Sequence, residues 1–314
     1  MDPTRRLPAD LVEHARAFTD GVREPVNAKN ASTVVLLRDG DGEPGGLEVY
    51  LLRRHVDMAF AAGMCVFPGG GVDKRDFDAD IGWVGPTPAE WAVLLVTDEA
   101  FARALVCAAV RDTFEESGVL FAGPTVDTVV GDTTGDDWEE DRRALEGREV
   151  SFTAFLDRRG LKLRTDLLRL WGSWVTPVFE PRRFNARFFV AELPAGQVTR
   201  DVSTESDDVV WLPLREAITS VDTHQMMMLP PTYCTLLEMY DLAHPADVLA
   251  AAEGRDLTSV EPEAVVDDEG AYLSIPDRLV RLGEDVAARL HPLAAGPAGP
   301  SASGRAACWR RTRT

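Results

Sequence analysis

Positive charge is what this chain most lacks. Its 314 residues hold 33 Lys and Arg, only three of them Lys, against 52 Asp and Glu, for a net charge of −19. Such a balance argues against nucleic acid or an anionic membrane as a partner. A phosphorylated small molecule can still bind, provided a cation and local Arg offset the acidity. Cysteine is scarce as well: Cys65, Cys107, Cys234 and Cys308 show no ligand spacing, so neither a zinc site nor a disulfide framework is expected. No apolar leader opens the chain and no run approaches 18 apolar residues. These absences predict a soluble, unexported, cytoplasmic protein.

What is present suits a large core, at 45% hydrophobic and 27% charged residues. Residues 1–29 read as a helical lead-in, Ala9 to Phe18, and a linker. Residues 31–38 and 47–53 read as strands around a turn at Asp39–Gly42. A helix is expected from about Asp98 to Ser117 with Thr97 as its cap, and a charged helical stretch over 136–170. Strands are expected at 183–191 and 209–212, a helix from Pro213 to Ile218, and another opened by Pro230-Pro231-Thr232 and running from Tyr233 to Leu242. Interleaved strands and helices predict an α/β sandwich. Residues 30–244 form the expected domain and 245–291 an extension packed on it. Residues 292–314 carry four Arg and no acid and read as a disordered basic tail, leaving 29 basic against 52 acidic side chains, or −23, elsewhere.

The most informative segment is Arg111-Asp112-Thr113-Phe114-Glu115-Glu116-Ser117-Gly118-Val119. At about 100° per residue, Asp112, Glu115 and Glu116 fall within an arc of roughly 100°. Val106, Cys107, Val110 and Phe114 take the other side, so the helix is expected to have one core face and one acid face. For stability alone this is poor, because acids in a last turn oppose the helix dipole and Asp112 and Glu116 repel across four residues. A divalent cation turns that repulsion into coordination, and Mg²⁺ or Mn²⁺ suits carboxylate oxygens and phosphate. Arg111 can fix one acid by a bidentate pair, and Gly118 suits a left-handed helix end. Upstream, Phe67-Pro68-Gly69-Gly70-Gly71 supplies a backbone that a ligand can approach closely.

Together these residues resemble the signature of the Nudix hydrolases: a glycine, an acid six positions on, then Arg-acid-aliphatic-x-Glu-Glu-x-Gly-aliphatic. Asp112 and Asp76 stand where that pattern has Glu, and Thr113 where it has an aliphatic residue. Between Asp76 and Arg111 lie 34 residues, 77 to 110, against the family's seven. The excess, placed at about 77–103, contains Trp83, Trp91 and an apolar run at 92–96, and is expected to pack as a helical insertion.

From about 31 to 242 the chain is similar to one Nudix subgroup, the peroxisomal-type acyl-coenzyme A diphosphatases and their bacterial relatives. The shared blocks are Met58–Gly70, Trp174-Val175-Thr176-Pro177, Pro181–Phe189 and Leu229–Thr232. The resemblance implies a Nudix-type α/β/α sandwich with a mixed β-sheet, Mg²⁺ or Mn²⁺, and hydrolysis of a diphosphate linked to a nucleoside. It implies Glu115 and Glu116 as principal metal ligands, the Gly70 carbonyl as another, Asp112 as a third acid ligand or general base, and Arg111 as their orienter. A further acid on a distant loop is placed at Glu205, with Asp207 and Asp208 as rivals. Substrate contacts are expected from Gly69, Gly71 and Arg54. Arg182 and Arg183 compensate for Ala59, which replaces a second Arg of the coenzyme A pattern. His55 reads as structural. Coenzyme A or its acyl esters are the implied substrate, with NADH, ADP-ribose or another nucleotide as the alternative. A catalytically silent Nudix-fold ligand sensor is the rival from another class.

Overall fold

The computed structural model describes residues 5, 7, 9–19, 23–40, 46–58, 60–204, 206–267 and 270–290. A mixed sheet forms its middle layer. Strand β1 (Lys29–Asp39) lies at the centre, with β2 (Leu47–Arg54) antiparallel to it at one end and the short β3 (Cys65–Val66) added to β2. β4 (Gly69–Gly71) pairs with the other end of β1 in the register Ala31–Gly71, Ser32–Gly70 and Thr33–Gly69. The middle of β1, Val34 to Leu37, is continuously apolar, as suits a strand covered on both faces. Val34 and Leu36 enter one core and Val35 and Leu37 the other, all four at 0% exposure.

Residues 77–110 are built into the layer that covers the Val34 face. β5 (Trp83–Val84) leads to α2 (Pro88–Leu95), whose capping box joins Thr87 and Glu90. Trp91 and Leu95, four apart on α2, enter the core, with the Trp91 ring edge-on to Phe189 at 5.7 Å. Helix α3 (Glu99–Ser117) follows, and Asp98, rather than the expected Thr97, is its cap: the Asp98 carboxylate accepts from the Phe101 N–H at 2.8 Å.

After β6 (Ala122–Gly123), two helices, α4 (Asp136–Glu146) and α5 (Phe152–Arg159), occupy only part of the stretch expected to be helical to 170. Gly160, at φ 64°, ends α5. The alternating residues beyond it become β7 (Lys162–Arg164), which joins β5 and β6 in a small sheet. β8 (Arg169–Val175) and β9 (Phe184–Glu192) then extend the main sheet, with β9 parallel to β1 and antiparallel to β8. β10 (Ser206–Pro213) closes the far edge against β2.

The second face is covered by α6 (Leu214–Asp222), α7 (Pro230–Glu238), α8 (Pro245–Ala251) and α9 (Asp277–Leu290). The segment after 244 is sewn to the sheet by Val260, whose N–H donates to the Ser173 carbonyl at 2.9 Å and whose carbonyl accepts from Val175 at 2.8 Å. It carries a hairpin of β11 (Ala264–Asp267) and β12 (Gly270–Leu273), against which α1 (Ala9–Thr19) packs. The chain is thus an α/β/α sandwich. Cys65, Cys107 and Cys234 are buried free thiols, while Cys308 and the tail from 291 lie outside the described residues. Among the described residues no helix is long and apolar enough to cross a membrane.

Candidate active site

Helix α3 and the glycine strand meet at β1. The Ser32 hydroxyl donates to the Leu105 carbonyl at 2.6 Å and pins α3 to the sheet. At Gly69 a Cβ would lie 2.5 Å from Thr33 Oγ1, and at Gly70 it would lie 3.0 Å from three atoms of the Asp112 carboxylate. Glycine is therefore required at Gly69 by the close approach of strand to strand, while at Gly70 a larger residue would crowd the Asp112 carboxylate. Gly118 ends the helix in the left-handed region, at φ 76°. Thr113, a departure from the family pattern, is fully buried and its hydroxyl donates to the Ala109 carbonyl at 2.7 Å, which absorbs the polar group within the helix.

The acid face is not a solvated one. Asp112 is 8% exposed, and burial pushes its carboxyl well above the usual carboxylate range despite the opposing Arg111. Burial raises Glu115 too, against the same Arg111. Arg111 is the hub. Its Nε and Nη2 grip Asp76 at 2.9 and 3.0 Å, its Nη1 donates to Asp112 at 2.6 Å and to Glu115 at 3.2 Å, and Nη2 reaches the Gly71 carbonyl at 3.3 Å. Asp76, known from the sequence only as a pattern position, is 2% exposed and also caps its own turn by accepting from the Asp73 N–H at 2.7 Å. Glu116 turns away from this hub and accepts from the Gly69 N–H at 2.7 Å.

Among the described residues, no three His, Cys, Asp or Glu side chains converge as a ready-made metal cage. The donor set nevertheless fits a hard cation. Glu115 Oε1 is buried with no hydrogen-bond partner, an orphan oxygen of the kind a cation would complete. Asp112 and Glu116 lie on the same stretch of α3 and offer further carboxylate oxygens, and the glycine backbone offers carbonyls.

A cleft of about 580 Å³ opens on the opposite face of the sheet, and Gly69, Gly70 and Gly71 line its edge. Its floor includes Ala31, Thr33, Ala186 and Phe188, so the glycine strand is shared between the cleft and the acids behind it. Arg54, at the end of β2, and the exposed Arg182 line the same cleft. Arg183 does not: its guanidinium donates to the Thr176 carbonyl at 2.9 Å, to the Val26 carbonyl at 2.9 Å and to Glu261 at 2.5 Å, which makes it a tie between segments. Glu205 and Ala59 lie outside the described residues. Of the rival loop acids, Asp207 sits 3.2 Å from His55 Nε2, and Asp208 accepts from the Val209 N–H at 3.0 Å.

The end of α3 is held by a group that the sequence did not single out. Arg142 of α4, 2% exposed, donates to the Glu115 carbonyl at 2.7 Å and pairs with Glu139 and Glu146. Glu139 also receives Arg200 at 2.8 Å, and Glu146 receives the Thr204 hydroxyl at 2.7 Å. The loop before β10 is thereby tied to the helix that carries the acids. The contacts of Arg142 with Glu115, Thr204 with Glu146 and Arg200 with Glu139 span 27, 58 and 61 residues, so no local pattern announces them. The Arg142 hydrogen bond, aided by Arg200, lowers Glu139 from its ordinary 4.5 to about 2. Because the folded-state value is depressed, this stabilisation is present above pH 4.5 and is lost as pH falls towards 2. Glu139→Gln should therefore lower the melting temperature at pH 7, and the gap from wild type should shrink as pH falls through that window. Thermal melts at pH 7, 4 and 3 check this; a gap independent of pH would rule the pair out as the source.

Residues 89–239 match the family model of the NUDT19 Nudix domain. The chain is 24% identical over 230 residues to the acyl-coenzyme A diphosphatase NUDT19 of Xenopus laevis, covering 62% of this chain and 60% of that protein. It is 24% identical over 283 residues to the Gallus gallus protein of the same name, covering 74% and 73%. Among solved structures, a NUDIX hydrolase from Alicyclobacillus acidocaldarius superposes with a TM-score of 0.62 at 27% identity, over 72% of this chain and 96% of that one.

Proposed function

We propose that this chain, whose residues 89–239 match the NUDT19 Nudix domain, is a Nudix hydrolase that cleaves a diphosphate linked to a nucleoside, with coenzyme A or an acyl-coenzyme A as substrate. The observation that carries this reading is the shared glycine strand, with the cleft on one side and the carboxylates of α3 on the other. A substrate lying in the cleft meets the acids only at that edge, which is where the diphosphate belongs. Mg²⁺ or Mn²⁺ is the proposed cofactor, held by Glu115, Glu116, Asp112 and the Gly70 carbonyl, with an acid at or near 205. When bound, such an ion lowers the pKa of water and neutralises charge developing on the phosphates.

This chain's own residues do the rest. Arg111, anchored on Asp76, fixes the rotamers of Asp112 and Glu115. Glu116, the acid that reaches the glycine edge, stands where it can take the proton of the attacking water. Arg54 and Arg182 meet substrate phosphates from the cleft side. The names of the Xenopus and Gallus relatives support the choice of coenzyme A.

A panel of free coenzyme A, its acyl esters, NADH and ADP-ribose, each with Mg²⁺ and with Mn²⁺, tests the proposal. The expected products from coenzyme A are 3′,5′-ADP and phosphopantetheine. Cleavage of NADH or ADP-ribose about tenfold more efficiently than any coenzyme A ester, judged by kcat/KM, would transfer the assignment to another nucleotide. No turnover of any member would leave the ligand sensor.

A further inference from the structure

Two residues lining the cleft, Pro262 and Leu273, lie beyond position 239, where the match to the family domain ends. Strand pairing places them relative to the glycine edge. Gly71 pairs with Ala31, Ala31 with Ala186, Ala186 with Trp174, and Trp174 with Val260. Four strand spacings separate Gly71 from Val260, roughly 19 Å at about 4.8 Å each. Along that row the cleft floor consists of Ala31 and Ala186, so the sheet between the glycines and Trp174 is a shallow trough.

The far wall is fixed in place. Val260 is bonded to β8 on both sides of Trp174. The Leu273 carbonyl accepts from Arg5 Nε at 2.8 Å, the Ala271 carbonyl accepts from the Leu7 N–H at 3.0 Å, and the Arg5 guanidinium lies over the Tyr272 ring at 5.2 Å. What this wall offers is apolar: Trp174, Pro262 and Leu273, with Phe184 beside them.

We infer that Pro262 and Leu273 close the cleft as an acyl subsite. An extended arm leaves the diphosphate at the glycine edge, runs along the alanine trough, and delivers an apolar acyl group to Trp174, Pro262 and Leu273. The inference rests on the coenzyme A reading and adds to it the part of the chain that selects the ester. Free coenzyme A ends short of this wall, whereas an octanoyl ester fills it. The gain is in binding, so it belongs to KM more than to kcat.

The test compares free coenzyme A with acetyl-, hexanoyl- and octanoyl-coenzyme A on the full chain. kcat/KM should rise with acyl length to about tenfold over the free coenzyme at octanoyl, chiefly through a falling KM. Leu273→Asn should narrow that ratio to about twofold. Ala186→Leu, which fills the trough from the middle of the sheet, should narrow it as well and serves if the first variant fails to fold. Free and acylated coenzyme A cleaved equally by wild type, or an unchanged ratio in both folded variants, would overturn the subsite and leave the diphosphatase standing. Failure to cleave any coenzyme A species would overturn both.

Discussion

Glu116→Gln should abolish turnover while leaving the fold intact. The substitution keeps the side chain's volume, and an amide oxygen can still accept from the Gly69 N–H that now donates to Glu116 at 2.7 Å. What disappears is the negative charge at the glycine edge. Removing a group that binds a cation or takes a proton in the transition state typically costs about 10²–10⁴-fold, and a loss in kcat of about 10³-fold is expected. The metal-free variant should melt no lower than wild type, because Glu116 and Asp112 are like charges four apart on α3. Steady-state kinetics and a melt in a chelator give the two readouts. Near-wild-type turnover would remove α3 from the chemistry altogether.

Arg111→Ala should be the most damaging single change to stability. The guanidinium is 9% exposed and satisfies Asp76, whose side chain is 1% exposed, together with Asp112 and Glu115. Breaking a buried pair by deleting one partner costs about 3–5 kcal/mol, since the remaining charge is left uncompensated. For a domain of this size, that corresponds to a fall of roughly 10 °C in melting temperature. Asp76→Ala in the Arg111→Ala background should add far less than it does alone, because one pair is then lost only once. Denaturant melts of the two single variants and the double variant measure the coupling. A loss below about 1 kcal/mol for Arg111→Ala would mean that the hub is dispensable for the fold.

Much of this site could be read from the residues in order. The acids, Arg111, Gly118 and the three glycines are local patterns, and local patterns survive translation into structure. Periodicity separates the apolar and acidic faces of α3 but does not show what else packs against the helix. With α2, α4 and the glycine strand around it, Asp112 is buried along with the apolar face. The helical reading of 136–170 ran past Gly160 because the charge pattern continues after the backbone has turned. Arg182 and Arg183 are neighbours in sequence and part company in space, one to the cleft and one to Thr176 and Glu261. The cleft itself joins Ala31, Trp174, Ala186 and Leu273, a set visible only once strand order is known.

The parallel pairing of β1 with β9 sets a clock on biosynthesis. Residues 29–37 find their central partner only in 184–192, so the first strand leaves the ribosome some 155 residues ahead of its neighbour. At typical elongation rates of about 5–20 residues per second, that interval is roughly 8–30 s. Throughout it, the strand bearing Val34, Val35, Leu36 and Leu37 has one open edge and, on the Val35 side, an uncovered apolar face, in a nascent chain already long enough to associate wrongly. The acidic helix emerges in the same window, before either β9 or the loop tied to α4 exists to hold it. Yield in the cell should therefore depend on chaperone capacity and translation speed between residues 40 and 190 more than on the stability of the finished molecule.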